Sequence, residues 1–139
     1  MVVIDRSNAY NLVKVADLDI PNFNGYRGKV LGTTLYLAGT SGGLAVVDLA
    51  NPASPLLKTI VPQADARGVD AIGATVAVAN GSAGVTFLHL GDPNAPAILG
   101  AQSVGGSAWS VAFNGGNLYV ANQQGIAVIQ NIASAPMVD

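Results

Sequence analysis

The chain has 139 residues, half of them hydrophobic, which is enough for one core or for a short run of repeats that share one. It holds no cysteine and no glutamate, carries a formal net charge of −2, and keeps all six basic residues (Arg6, Lys14, Arg27, Lys29, Lys58, Arg67) in its first half. Disulfides and thiolate metal sites are thereby excluded, a basic patch for nucleic acid is missing, and no apolar run approaches the ~18 residues of a membrane span.

The chain opens on a strand, Val2-Val3-Ile4-Asp5, with no basic leader or cleavage signal ahead of it. A second strand is expected over residues 12–18. Asp17-Leu18-Asp19 then places two carboxylates on one strand face, and Asn22 and Asn24-Gly25 follow. Such oxygen donors suit Ca²⁺ in principle, but the spacing is not that of an EF-hand loop. Polar residues bonding their own backbone is the plainer reading.

Next comes Leu35-Tyr36-Leu37-Ala38, then a Gly-containing turn, then the strand Leu44-Ala45-Val46-Val47-Asp48 and the segment Asn51-Pro52-Ala53-Ser54-Pro55. About 41 residues on, the order repeats as Val76-Ala77-Val78-Ala79, a turn, Val85-Thr86-Phe87-Leu88-His89 and Asp92-Pro93-Asn94-Ala95-Pro96. A third pass reads Leu118-Tyr119-Val120-Ala121, a turn, Ile126-Ala127-Val128-Ile129-Gln130 and Ala133-Ser134-Ala135-Pro136. Three short apolar strands can match by accident; the shared turn and proline spacing do not.

Each full unit supplies four strands, which in the second unit fall at residues 68–72, 75–79, 85–90 and 97–104. Scarce Lys and absent Glu argue against amphipathic helices. Four strands in about 40 residues, apolar on both faces, is the pattern of a β-propeller blade. The expected fold is therefore all-β, a propeller of four-stranded antiparallel blades that does not close into a ring by itself. Its parts are a partial blade (1–20), two blades (21–63 and 64–105) and a blade lacking a complete last strand (106–139). Closed propellers have about 4–8 blades, so the terminal blades should meet another chain or a further segment.

Residues 43–55, Gly-Leu-Ala-Val-Val-Asp-Leu-Ala-Asn-Pro-Ala-Ser-Pro, resemble the signature of the LVIVD repeat family. His89 and Gln130 replace the signature Asp in the later units, and the third unit loses one proline. The resemblance implies a β-propeller found largely in bacterial and archaeal surface or secreted proteins. It supplies no catalytic residues.

Several side chains are candidates for chemistry. Asp5, Asp48, His89 and Gln130 share one phase of the repeat, as a polar ring or metal site or, more plainly, as turn-stabilising groups. His89 is the single histidine, so a His-dependent mechanism has to use it; no Gly-x-Ser-x-Gly elbow accompanies it. Gly42-Gly43 and Gly105-Gly106 lack the Lys and Ser/Thr of a phosphate loop and read as turns. In a propeller, the links between blades share one end with the hairpins joining second and third strands. That end gathers Asn22, Phe23, Asn24, Tyr26, Arg27, Gln63, Asp65, Arg67, Ser107 and Trp109, with Thr40, Ser41, Asn80, Ser82, Asn122, Gln123 and Gln124 from the hairpins. Tyr26, Arg27, Arg67 and Trp109 are the binding candidates, because aromatic and Arg side chains dominate binding hot spots. Against this, Trp109 can pack between blades and Arg67 can pair with Asp65 or Asp70.

The expected function is a non-catalytic module for protein recognition or assembly, placed outside the cell or on its surface by the resemblance. It needs no cofactor and no metal; its partner is a protein or further copies of itself, with no nucleic acid and no membrane span. The alternatives are a glycan-binding propeller using Trp109 and Tyr26, or part of a propeller enzyme with a central pocket.

Overall fold

A computed structural model describes residues 1–8 and 10–130. Thirteen strands and no helix are found there. They are β1 (Val2–Asp5), β2 (Val13–Asp17), β3 (Arg27–Leu31), β4 (Thr34–Ala38), β5 (Leu44–Asp48), β6 (Leu56–Val61), β7 (Gly68–Ile72), β8 (Thr75–Ala79), β9 (Val85–His89), β10 (Ala97–Gln102), β11 (Ala108–Asn114), β12 (Asn117–Asn122) and β13 (Gly125–Ile129). Each strand pairs antiparallel with its sequence neighbour inside one of four sheets: the ribbon β1-β2, the blades β3-β4-β5-β6 and β7-β8-β9-β10, and the three strands β11-β12-β13. The architecture is a partial propeller, and among the described residues no sheet closes. The Ala133–Pro136 stretch of the third unit, and any last strand there, lie outside the described residues.

The expected strand starts of the second unit are the observed ones, while its third and fourth strands end earlier, at His89 and Gln102. The expected second strand is also shorter: β2 ends at Asp17, so Asp19 does not sit on a strand face beside it. One further backbone bond follows the strand, from Leu18 N–H to the Met1 carbonyl at 2.8 Å.

Strand alternation sends successive side chains to opposite faces, yet both faces of a blade are apolar here because both are covered. One cluster joins Tyr36, Ala38, Leu44 and Val46 of the first blade to Val69, Val76, Val78 and Leu88 of the second. Another joins Ala77, Ala79 and Val85 of the second to Val111, Leu118 and Val120 of the third. A third seals Leu35, Ala45 and Val47 under Ile20, with Met1, Leu18 and Phe23 packed around them. Fully burying a Val or Leu contributes roughly 1.5–3 kcal/mol, so these seams hold the sheets together.

Backbone also crosses the two seams between blades. Thr40 N–H donates to Ala66 O at 2.7 Å and Ala66 N–H returns to Thr40 O at 3.0 Å. Gly81 and Ala108, one repeat later, make the same exchange at 3.2 and 2.9 Å. The β4–β5 and β8–β9 hairpins are thus each stitched to the lead-in of the next blade's first strand. The turn itself needs glycine: Gly43 and Gly84 have φ of 90° and 82°, and a Cβ on either would strike the carbonyl of the adjacent fourth strand, at Val61 or Gln102.

Candidate functional site

The first strands β3, β7 and β11 run side by side through the three blades. Their starts carry Tyr26–Arg27, Arg67 and Trp109, each one repeat apart. The local reason is shared: Tyr26 N–H donates to Ala38 O and Arg67 N–H to Ala79 O, both at 2.8 Å, which fixes the chain just before each first strand. At the third start the register slips between Ala108 and Ser110, so Trp109 sits in a bulge. Bulges re-aim side chains, and Trp109 is 44% exposed rather than packed between blades. Tyr26 is 59% exposed.

Arg27 Nη1 donates to Ser110 Oγ at 3.2 Å. This bond leaps from the first blade to the third, across the start of β7. It is possible because residue 68 is glycine: a Cβ there would lie 2.9 Å from both Ser110 Cα and the Trp109 carbonyl. The Arg27 guanidinium also stands 6.0 Å from the centre of the Tyr26 ring, at the outer limit of a cation–π contact. Arg67 Nε donates to Asp65 Oδ2 at 2.8 Å, the first of the two pairings open from sequence. Asp70 instead faces Lys29 at 3.2 Å. The Arg67–Asp65 pair is partly solvated and contributes about 1 kcal/mol or less, but it holds the Arg67 fork in place.

Two of the other polar residues expected at this end turn inward. Asn80 and Asn122 are buried. Asn80 Oδ1 accepts from Asp65 N–H at 2.7 Å, and its Nδ2 donates to Gln63 Oε1 at 3.0 Å and Thr86 Oγ1 at 3.3 Å. Asn122 Nδ2 donates to the Val104 carbonyl, and its Oδ1 accepts from Gln124 N–H. Both asparagines clamp the link that leads into their blade. Gly39 holds this position in the first blade, and the Phe23 ring fills the space a side chain would take. These residues build the end rather than present it.

The residues in phase with Asp5 do not converge. Asp5 accepts from Ser7 N–H and Asp48 from Ala50 N–H, each at 2.8 Å, and Gly91 N–H points to His89 Nδ1 at 3.5 Å. Those backbone and hydroxyl bonds from Ser7 hold the exposed Asp5 carboxyl below its usual value. Asp5, Asp48 and His89 each cap their own turn two residues on. Asp17 pairs with Lys14 at 2.6 Å, and Asp19 lines a recess with Met1, Ile20, Phe23, Gly25 and Leu37. Among the described residues no three acidic or histidine side chains gather in a way that would hold a metal ion.

Sequence reasoning missed Ser110 and the Lys29–Asp70 pair. A signal for the pair existed, since opposite charges stand at one repeat phase in adjacent units. Nothing in the repeat pointed to Ser110.

The LVIVD repeat matches this chain over residues 29–62 and 105–136. The first segment runs from β3 to the end of β6, and the second takes in all of β11–β13. No curated protein is similar enough to be counted as a relative.

Proposed function

We propose that this chain, which carries LVIVD repeats on propeller blades, is a non-catalytic recognition module outside the cell or on its surface. Its binding end is the one bearing Tyr26, Arg27, Arg67 and Trp109, and its partner is a protein. The observation that carries the reading is the Arg27–Ser110 bond. It ties the start of the first blade to that of the third, so exposed Tyr26 and Trp109 and the two hydrogen-bonded guanidinium groups stand at the starts of successive first strands. Rings and forked cations are the groups that anchor protein interfaces. The extracellular placing rests on the LVIVD resemblance. The non-catalytic reading is supported by His89, which turns its ring to its own loop, away from the other candidates.

A photo-crosslinking phenylalanine analogue at position 26 tests this, with the same group at Lys58 as control, in surface-protein extracts of the source organism. The expected result is a discrete protein adduct at position 26 alone, lost on Arg67→Ala or Trp109→Ala, each of which should weaken binding by on the order of 2 kcal/mol. Equal labelling at both positions overturns the reading. The exposure of Trp109 and Tyr26 also suits stacking on sugar rings. Oligosaccharides that quench Trp109 fluorescence, with no protein adduct, would transfer the site to a glycan. Turnover of a substrate would transfer it to an enzyme.

A further inference from the structure

The same seam between blades occurs twice inside the chain, and each half of it is left bare at one end of the described structure. On the trailing side of a blade, Leu44 and Val46 in the first blade are fully buried, and Val85 in the second likewise, with Phe87 packed beside it. Their counterparts one repeat later are Ile126 and Val128 on β13, which are 75% and 50% exposed. On the leading side, Ala45 and Val47 are fully buried in the first blade, and Leu88 in the second. Their counterparts on β1 are Val2 and Ile4, at 53% and 55% exposure.

We infer that Ile126 and Val128 form a docking surface for a second copy of this chain, whose Val2 and Ile4 fill it head to tail. The internal seams set the register. Leu44 and Val46 share a cluster with Leu88, and Val85 shares one with Ala127 and Ile129, so third strand faces third strand across each seam. Val2 and Ile4 occupy that leading third-strand phase, and Ile126 and Val128 the trailing one. Charge does not oppose the approach: from residue 93 to residue 138 the chain holds no Asp, Glu, Lys, Arg or His. Large exposed apolar patches of this kind mark association surfaces. Because the two halves differ, the contact is heterologous, and it propagates until a ring closes.

Two single substitutions and their mixture test this by sedimentation velocity across a range of chain concentrations. The unmodified chain should associate beyond a dimer as concentration rises. Ile126→Asp and Ile4→Asp should each be monomeric, since each lacks one half of the contact. Mixed in equal amounts they should form a dimer and stop, because one intact tail meets one intact head. A substitution that merely unfolds the chain cannot be restored by mixing, so recovery of the dimer separates lost contact from lost fold. An unmodified chain that stays monomeric throughout overturns the inference. So does Ile4→Asp associating like the unmodified chain, which would assign the surface to tail-to-tail pairing.

Discussion

Lys29 and Asp70 stand at the same position of successive repeats, and their side chains meet, Nζ to Oδ1, at 3.2 Å. Equivalent residues of a repeat normally sit a whole blade apart. They touch here because first strands line the inner edge of the blades, where neighbouring blades come closest. Asp70 completes the link on its other side, with Oδ2 accepting from Phe113 N–H on β11 at 2.8 Å. One largely buried carboxylate thus ties three first strands together.

Asp70→Ala should therefore destabilise the fold by about 2–3 kcal/mol, since it strands a backbone amide as well as Lys29. Lys29→Ala should cost less than about 1 kcal/mol, because the ammonium remains partly solvated. Urea titrations of both variants check the asymmetry. Equal losses would mean that the ion pair, not the amide bond, is what counts.

The buried Asn80 clamp gives a second prediction. Asn80→Ala leaves Asp65 N–H, Gln63 Oε1 and Thr86 Oγ1 each short of a partner, and should cost about 1–3 kcal/mol. Amide hydrogen exchange should quicken first at Asp65 and then in the 63–67 link. Unaltered exchange there would refute the clamp.

Thr40 carries the third. Its φ of 50° is left-handed, a conformation that costs an L-residue roughly 1–2 kcal/mol and a β-branched one most of all. Gly81, its counterpart, takes φ of 55° without that cost. Thr40→Gly should raise stability by about 0.5–1 kcal/mol after the extra freedom of unfolded glycine is offset. Gly81→Thr should do the reverse and lose more, since its Cβ would press on the Asp65 carboxylate at 2.5 Å. Thermal midpoints of the two variants should move in opposite directions.

Tyr36 makes stability depend on alkaline pH. Burial pushes its phenol above the ordinary value of 10.0. The unfolded chain therefore releases this proton first, at about pH 10. From that point the unfolded state binds fewer protons than the folded one, and stability falls as pH rises toward the folded value. Tyr36→Phe should flatten this fall above pH 10 and leave the neutral range close to unchanged. Identical alkaline slopes in the two proteins would remove Tyr36 as the cause.

Much of this molecule is legible in order along the chain. The strands, the hairpins and the all-β class follow from apolar runs of four to six residues punctuated by glycine and proline, because local backbone preference and period-two burial act within a few residues. The repeat also declares which residues are equivalent: Gly43 with Gly84, Asn80 with Asn122, Arg67 with Trp109. The propeller character follows from that periodicity, since a sheet apolar on both faces needs neighbours on both.

Which equivalent residues touch is decided only by tertiary packing. Asp70 and Lys29 bond across one seam, Arg27 passes over Gly68 to reach Ser110, and Asn80 turns inward while Trp109 turns out at a bulge. None of these follows from repeat phase, because the distance between blades depends on side-chain volumes at the seam and on where a strand slips register. The chain alone specifies units and their order; the spacing and tilt of the sheets decide which of their polar groups become clamps and which remain free to meet a partner.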